Sequence, residues 1–331
     1  MEAVPKQAGL TTGKNNKIPP FQWDFSSKSS LFNPTLSAYT ETQKRGVIIM
    51  SNQVSALAIH DISCVGKCSL TVALPILSAA GIETSVLPTS VLSTHTGGFT
   101  GWTFHDLTGE VEPITRHWAS LGLRFDGIYT GYLGSKEQIA LIARIFDDFG
   151  QNALKVVDPV MGDNGALYGG FSADFPQEMK RLCAKADVIV PNFTEASLML
   201  EEPYQEGPYT KSYVEDILHK LALICPGQVV LTGVRFDDKQ LGAAVLDVPS
   251  GRVEYAQAPL IPGYYHGTGD VFASALTSAM LRGKGLGESA QIAADFTVAA
   301  IRGTDAGRDQ KYGVNFEGAL PGLMGALGIL G

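Results

Sequence analysis

From Val54 onward the chain alternates between short, almost wholly apolar runs and longer segments whose apolar residues recur at helical spacing. The apolar runs predict strands at residues 54–60, 83–90, 127–133, 155–160, 188–192, 228–234 and 242–248. Stripes of apolar residues predict helices at 136–149 and 211–225. Strands that are apolar on both faces and separated by helices predict an α/β fold, in which helices cover both faces of a mostly parallel sheet.

Polar residues follow most of the predicted strands. Ligands of such sheets bind at the carboxyl ends of the strands, so these residues are candidates for a binding site. They are His60 and Asp61, Ser90, Gly131 and Tyr132, Asp158, Asn192 with Glu195, and Thr232 with Gly233.

Residues 1–52 differ from the rest of the chain. They are rich in Lys, Asn, Ser, Pro and Gly, and they show no sustained period and no secretory apolar region. We therefore expect an N-terminal extension at 1–52, poorly ordered or non-native, and a single domain at 53–331, with Met50 near the natural start of the folded part. Deleting residues 1–49 is then expected to leave activity nearly unchanged. Acidic residues and few arginines disfavour a transit peptide.

Composition limits the class of partner. The formal net charge of -8 and the lack of a long Lys/Arg cluster argue against a nucleic-acid partner or an anionic membrane surface. The longest apolar stretches, such as 72–82, are shorter than the roughly 20 residues that span a bilayer. The 4 cysteines are too few and too scattered for a disulfide scaffold or a structural zinc site. These features predict a cytoplasmic protein.

The segment "HGTGD" at 266–270 opens an apolar helical run and is the strongest local signal. Gly267 and Gly269 let successive N–H groups converge at a helix N-terminus, which predicts an anion hole. Thr268 supplies a cap or a hydroxyl donor. Asp270 is placed to take the proton of an attacking hydroxyl while the N–H groups stabilise a transferred phosphoryl group. The structural alternative is a carboxylate that only satisfies the helix dipole.

Two further segments place carboxylates after strands. "DPVMGDNG" at 158–165 carries Asp158 and Asp163, hard oxygen ligands of the kind that suits Mg²⁺, although an Asp-Pro turn is the alternative. "PNFTEASLML" at 191–200 ends a strand with Asn192 and opens a helix with Thr194 near its cap. Glu195 is either a second carboxylate on the metal side or a residue that satisfies the helix dipole.

Two loops carry weaker signals. "CVGKCS" at 64–69 is similar to the end of a P-loop, but Cys68 stands at the Ser/Thr position and Asp61 at that of the first glycine. We reject a P-loop and predict a flexible loop with Gly66 as its hinge and Lys67 available to a ligand or to solvent, with solvent the favoured interpretation. In "STHTGGFTG" at 93–101, His95 and Thr96 are candidates to hydrogen-bond a polar heteroaromatic ligand, with a purely structural histidine as the alternative.

Taken in order, the segments resemble a known family. "GYLGSKEQ" (131–138), "DPVMGDNG" (158–165), "VPNFTEA" (190–196), "LTG" (231–233) and "GTGD" (267–270) together resemble the pyridoxal kinases of the ribokinase-like superfamily, and "STHTGGFTG" is similar to the vitamin-site segment of that family. The resemblance covers about Val54 to residue 305.

The resemblance implies a ribokinase-like three-layer α/β/α fold, usually dimeric. The implied activity is ATP-dependent, Mg²⁺-assisted phosphorylation of the 5′-hydroxymethyl group of a vitamin B6 vitamer. Asp270 would be the general base, with Gly267, Thr268 and Gly269 as the anion hole. The remaining implied roles are Asp158 and Glu195 on the metal and phosphate side, Asp163, Asn192, Thr232 and Gly233 around ATP, and Asp61, Ser63, His95, Thr96 and Tyr132 around the B6 ring.

The chain departs from the family pattern after the first strand. Many pyridoxal kinases have Gln-Ser there, whereas this chain has His60 and Asp61. Asp61 favours a protonated pyridine nitrogen or a charged amine, as in pyridoxamine, unless Ser63 takes the place of the family's serine. The vitamer preference therefore stays open. The alternatives are a hydroxymethylpyrimidine kinase and a non-catalytic B6-binding protein, while a sugar kinase is disfavoured because its usual lid strands and glycine-rich N-terminal signature are not found.

Overall fold

The computed structural model describes residues 53–330. The extension expected at 1–52 and the proposed start near Met50 lie outside the described residues. The strands are β1 (Ser55–Ser63), β2 (Glu83–Leu92), β3 (Phe104–Asp106), β4 (Gly127–Thr130), β5 (Leu154–Val157), β6 (Gly162–Asp163), β7 (Ala166–Leu167), β8 (Val188–Ile189), β9 (Gln228–Val234), β10 (Gln240–Asp247) and β11 (Arg252–Pro259).

The α-helices of the same region lie between and after these strands. They are α1 (Leu70–Ala79), α2 (Thr108–Ser120), α3 (Lys136–Phe149), α4 (Phe175–Cys183), α5 (Phe193–Leu200), α6 (Lys211–Ala222), α7 (Thr268–Leu281), α8 (Leu286–Arg302) and α9 (Leu320–Ala326). Local sequence explains where several begin. Helix α3, for example, starts where the Ser135 hydroxyl accepts a hydrogen bond from the Gln138 N–H at 3.1 Å.

The main sheet has nine strands in the order β11-β10-β9-β8-β5-β4-β1-β2-β3, and β6 and β7 form a separate hairpin. The six strands from β9 to β2 are parallel, and β3, β10 and β11 add antiparallel pairs at the two edges. The expected mostly parallel sheet is confirmed.

Alternate residues of each strand enter cores on opposite faces of the sheet. Leu57 and Ile59 of β1 pack on one side with residues of α2 to α6, while Ala56 and Ala58 pack on the other with α1, α7, α8 and α9. This double burial explains why the strands are apolar at successive positions. The result is the three-layer α/β/α architecture that was expected.

The register aligns the ends of the central strands. Thr130 of β4 pairs with Ile59 of β1 and with Val157 of β5, so the residues that follow these positions emerge at one edge. The strand bounds differ from the sequence prediction in a way that matters for the site. Strand β1 continues through Asp61 to Ser63, so Asp61 lies within the strand rather than after it. Among the described helices, none is both long and apolar enough to cross a bilayer.

Candidate active site

The N-terminus of α7 presents a turn of backbone N–H groups at the sheet edge. Gly267 is the N-cap residue with φ +76°, and a Cβ there would collide with the Lys67 carbonyl oxygen, so the position requires glycine. Gly269 has no atom within 4 Å of the position that a Cβ would occupy. The Thr268 hydroxyl donates a hydrogen bond to the Tyr265 carbonyl at 3.0 Å and so stabilises the turn. The geometry suits an anion that approaches from the Gly269 side.

Asp270 lies in the first turn of α7, directly after these glycines. Burial raises its pKa to about 6, and the negative charge of Asp61 adds to this effect. The Ser69 N–H and the Cys68 thiol oppose the shift because they stabilise the carboxylate form. At neutral pH Asp270 is therefore mostly ionised but more basic than an exposed aspartate, which suits a general base.

Asp61 and Ser63 lie together in a buried position on β1. The Ser63 hydroxyl donates to Asp61 Oδ2 at 2.9 Å, and both residues are almost completely shielded from solvent. Burial raises the pKa of Asp61, while the hydroxyls of Ser69 and Ser63 and the nearby His95 counteract part of that shift. The structure thus brings Asp61 and Asp270 into one electrostatic environment.

Asp158 and Glu195 form a second group of carboxylates. Glu195 completes a capping box at the start of α5, in which Asn192 Oδ1 accepts from the Glu195 N–H at 2.9 Å and Glu195 Oε2 accepts from the Asn192 N–H at 2.9 Å. Its Oε1 accepts from the Met161 N–H at 3.2 Å. Burial raises the pKa of Glu195 to about 8. Burial also raises the pKa of Asp158, with the charges of Glu195 and Asp270 as additional causes.

This donor set fits a divalent cation. Two buried carboxylates that repel each other gain stability when a cation neutralises them. Both oxygens of Glu195 already accept backbone hydrogen bonds, whereas none of the hydrogen bonds of residues 53–330 uses the carboxylate of Asp158. Asp158 is therefore the better candidate for direct contact with a metal, and Glu195 has a structural role in addition.

Asp163 lies on the β6–β7 hairpin beside this group. Its Oδ1 accepts from the Asn164 N–H at 2.9 Å, and its Oδ2 accepts from the Tyr264 hydroxyl at 2.8 Å. The second bond joins the hairpin to the loop that precedes Gly267. Sequence reasoning missed Tyr264, although the aromatic pair "YY" directly before "HGTGD" was an available signal.

Thr232 and Gly233 lie near the end of β9, beside the start of α5. Thr232 pairs with Asn192 through an isolated parallel bridge, and its hydroxyl faces the Pro191 carbonyl at 3.4 Å. Gly233 is exposed with φ +78°, a conformation that favours glycine. The two residues therefore border the same edge as Asn192, at its solvent side.

The predicted ring-binding residues are only partly available. His95 donates from Nε2 to the Lys311 carbonyl at 2.6 Å and accepts at Nδ1 from the Gly97 N–H at 3.1 Å, so both ring nitrogens have backbone partners. Thr96 is exposed. Tyr132 is partly buried, and burial together with the charge of Asp61 raises its pKa to about 12. None of the hydrogen bonds among the described residues uses the side chain of Thr96 or Tyr132, whereas His95 orders the loop.

The loop 64–69 lies closer to the site than its sequence indicated. Lys67, expected in solvent, forms an ion pair with Glu317 at 2.5 Å, and its ammonium lies 5.4 Å from the centre of the Phe316 ring. Cys68 faces Asp270. Burial is the main cause that raises the pKa of its thiol, and the charge of Asp270 adds to this effect. The sequence singled out this segment only for its similarity to the end of a P-loop, which did not indicate these contacts.

The parallel sheet, the helix N-terminus and the adjacent carboxylate define a phosphotransferase that acts on a hydroxyl group. Comparison with known proteins agrees with this class. Residues 84–315 match the family described as phosphomethylpyrimidine kinase, and the chain belongs to this family of kinases, with a ribokinase-like fold and an alcohol group as acceptor.

The similar proteins include pyridoxal kinases and pyrimidine kinases. The solved pyridoxal kinase of Lactobacillus plantarum is 36% identical, with a TM-score of 0.76 over 82% of this chain and 97% of that one. A Bacteroides thetaiotaomicron protein assigned to the phosphomethylpyrimidine kinases, in a crystal form with pyridoxal, is 38% identical, with a TM-score of 0.78 over 82% and 96%. The hydroxymethylpyrimidine/phosphomethylpyrimidine kinase of Bacillus subtilis is 27% identical over 65% of this chain and 77% of its own length.

Proposed function

We propose that this protein phosphorylates the 5′-hydroxymethyl group of a vitamin B6 vitamer with ATP as the phosphoryl donor. The observation that carries the proposal is Asp270, a carboxylate with a pKa near 6 placed directly after a turn of free N–H groups at the ligand edge of the sheet. A hydroxyl held between this base and the anion hole is both activated and oriented.

In the proposed reaction, Asp270 accepts the proton of the substrate hydroxyl as its oxygen attacks the terminal phosphorus of ATP. The bond from that phosphorus to the bridging oxygen breaks, and ADP leaves with the electron pair. The N–H groups of residues 267–269 stabilise the charge on the transferred phosphoryl oxygens. Because the groups are fixed before the substrate arrives, little reorganisation is needed during transfer.

The carboxylates of Asp158 and Glu195 would hold Mg²⁺, which supplies charge neutralisation for the phosphates. Asp158 offers free oxygens, and Glu195 keeps the segment from Met161 to Asn192 in place through its two backbone hydrogen bonds. Asp163, Thr232 and Gly233 border this edge and are proposed to line the nucleotide site. The raised pKa values of Asp158 and Glu195 support the need for a cation there.

The ring of the vitamer is proposed to lie beside Asp61, Ser63, Thr96 and Tyr132, with His95 ordering the loop around it. Asp61 supports a pyridine because a buried carboxyl group with a raised pKa can share a proton with the ring nitrogen. The 36% identity to the pyridoxal kinase of Lactobacillus plantarum and the 38% identity to the Bacteroides protein crystallised with pyridoxal also support B6. A homodimer in the cytoplasm is proposed from family resemblance alone.

Hydroxymethylpyrimidine remains the second candidate substrate, because the matching family is described as phosphomethylpyrimidine kinase. The deciding experiment measures ADP release from Mg-ATP with pyridoxal, pyridoxine, pyridoxamine and hydroxymethylpyrimidine in parallel. A kcat/KM on any B6 vitamer well above that on the pyrimidine supports the proposal. Turnover on the pyrimidine alone replaces it with thiamin-precursor phosphorylation, and binding of vitamers without turnover indicates a non-catalytic carrier.

A further inference from the structure

The described site is rich in acidic side chains, which become negatively charged when a cation or a basic group neutralises them. Asp61, Asp158, Asp163, Glu195 and Asp270 surround it, and the ion pairs of residues 53–330 include none of the five. A nucleotide brings further negative charge to this edge. One divalent cation at Asp158 does not balance all of these groups, so a basic side chain near the α7 N-terminus has an electrostatic role to fill.

Lys67 is the basic residue whose backbone is built into this N-terminus. Its carbonyl oxygen packs so closely on Gly267 that a Cβ there would collide with it, and its own Cβ lies 2.8 Å from the position that a Cβ of Gly313 would occupy. The next residue, Cys68, faces Asp270. The lysine is therefore fixed at its base against the turn that forms the proposed anion hole.

The loop adopts a backbone conformation that side chains usually avoid. Gly66 has φ +104°, and the non-glycine residues Lys67 and Ser69 have φ +25° and +53°. Such conformations persist where the surrounding structure enforces them, and they concentrate at functional sites. Here the enforcing contacts are those with Gly267 and with the segment around Gly313.

The ammonium group itself is held by an exchangeable partner. Glu317 accepts from Lys67 at 2.5 Å, but its side chain is 51% exposed, whereas that of Lys67 is 21% exposed. Ion pairs with such an exposed partner contribute little to stability, and the lysine stem has the freedom to turn toward another anion. A phosphate at the N-terminus of α7 would be a stronger partner, because it carries more charge and lies in a less screened position.

We propose that Lys67 is a phosphate-binding residue of the kinase reaction, whose ammonium exchanges Glu317 for phosphoryl oxygens held at the N-terminus of α7. The inference rests on the proposed function and adds a residue to it. When the phosphorylated product leaves, the ammonium returns to Glu317, which keeps the empty site from retaining an unpaired lysine beside its carboxylates.

The test compares Lys67→Met, Lys67→Arg and Glu317→Gln with Lys284→Met as a net-charge control. Lys284 lies after the opposite end of α7 and is partly buried, and its ion pair among the described residues is with Glu288. Binding of ADP and of inorganic phosphate is measured by calorimetry, together with kcat, KM and Tm. We expect Lys67→Met to weaken ADP and phosphate binding about tenfold, as for the loss of one charge-assisted hydrogen bond, with pyridoxal affinity nearly unchanged. Lys67→Arg should retain part of the affinity, and Glu317→Gln should leave it equal or stronger.

The proposal is overturned if Lys67→Met and Glu317→Gln lower Tm and turnover equally with no selective loss of phosphate affinity, since the ion pair is then purely structural. It is also overturned if Lys67→Met binds ADP and phosphate like Lys284→Met. Should Lys67→Met fail to fold, Lys67→Arg and Glu317→Gln still decide the matter. Failure of the kinase assignment is seen separately, as absence of turnover on every substrate in the native protein.

Discussion

The proximity of Asp61 to Asp270 predicts a specific pH profile. With a pKa of about 6, Asp270 is about 90% ionised at pH 7 and about 10% ionised at pH 5, whereas a carboxyl at the ordinary aspartate value of 3.8 would remain more than 90% ionised at pH 5. If only the ionised form acts as base, kcat/KM should fall about tenfold between pH 7 and pH 5. Replacing Asp61 by Asn removes one of the two causes of this shift.

In Asp61→Asn the acid limb of kcat/KM should therefore move to lower pH. It should not reach the position of an exposed aspartate, because burial is the larger cause and is unchanged. The pKa of Asp61 is itself raised, so the two carboxyls titrate as a pair. The midpoint of the acid limb therefore reports the apparent pKa of the pair and not of one residue. The profile is measured by ADP release from pH 4.5 to pH 8, with B6 vitamer well below KM.

Asp163→Asn is the matched control for this experiment. It also removes one carboxylate charge from the ligand edge, but Asp163 is not among the causes of the Asp270 shift, so its limb should coincide with that of the native protein. A limb that stays in place in Asp61→Asn, or a native limb that lies well below pH 5, would refute the electrostatic reasoning. If Asp61→Asn only weakened the binding of the vitamer, kcat/KM would fall equally at every pH and the midpoint of the acid limb would not move.

Three other outcomes are expected. Asp270→Asn should lower kcat by orders of magnitude and leave ADP affinity by calorimetry roughly intact, and an equal loss of both would indicate a structural carboxylate. Asp158→Asn should raise the Tm of the nucleotide-free protein, and the increase should grow with pH. The native carboxyl has a raised pKa, so the folded state loses stability as pH rises from the pKa of the unfolded state toward that of the folded state, and asparagine removes this loss. A Tm difference that does not depend on pH contradicts this. Gly267→Ala should cost about 2 kcal/mol in denaturant unfolding, through the positive φ and the collision with Lys67, whereas Gly269→Ala has open space and should stay near the native value; equal costs would contradict the glycine argument.

Several features were readable from local patterns. The stripe in 136–149 predicted α3 with the bounds that are observed, because its apolar face and the Ser135 cap are local features. The parallel sheet followed from strands apolar on both faces. Strand β11, at Arg252–Pro259, was not among the predicted strands. Val253 and Tyr255 alternate with polar neighbours along a short segment at the sheet edge, and pairing with β10 is what makes this segment a strand.

The sequence predicted where the site residues lie better than it predicted the role of each one. The sequence placed Asp158, Asn192 and Glu195 after strands, but only the folded chain shows that Glu195 accepts two backbone hydrogen bonds while Asp158 keeps free oxygens. In the same way, His95 was a candidate for a ligand contact, yet its two ring nitrogens bond to Gly97 and to Lys311, which is more than two hundred positions away. The roles of these residues in binding stay predictions.

The sequence by itself determined the layered fold, the edge at which we expect ligands to bind, and the glycine turn with its carboxylate, because periodicity, strand ends and a helix N-terminus are encoded by neighbouring residues. Tertiary structure alone decided the electrostatics. The raised pKa of Asp270 depends on Asp61 from β1, and the position of Lys67 depends on Gly267 and Glu317, which are contributed by distant parts of the chain. Burial and charge act through space, so their effect on a site appears only once the strands and helices have packed.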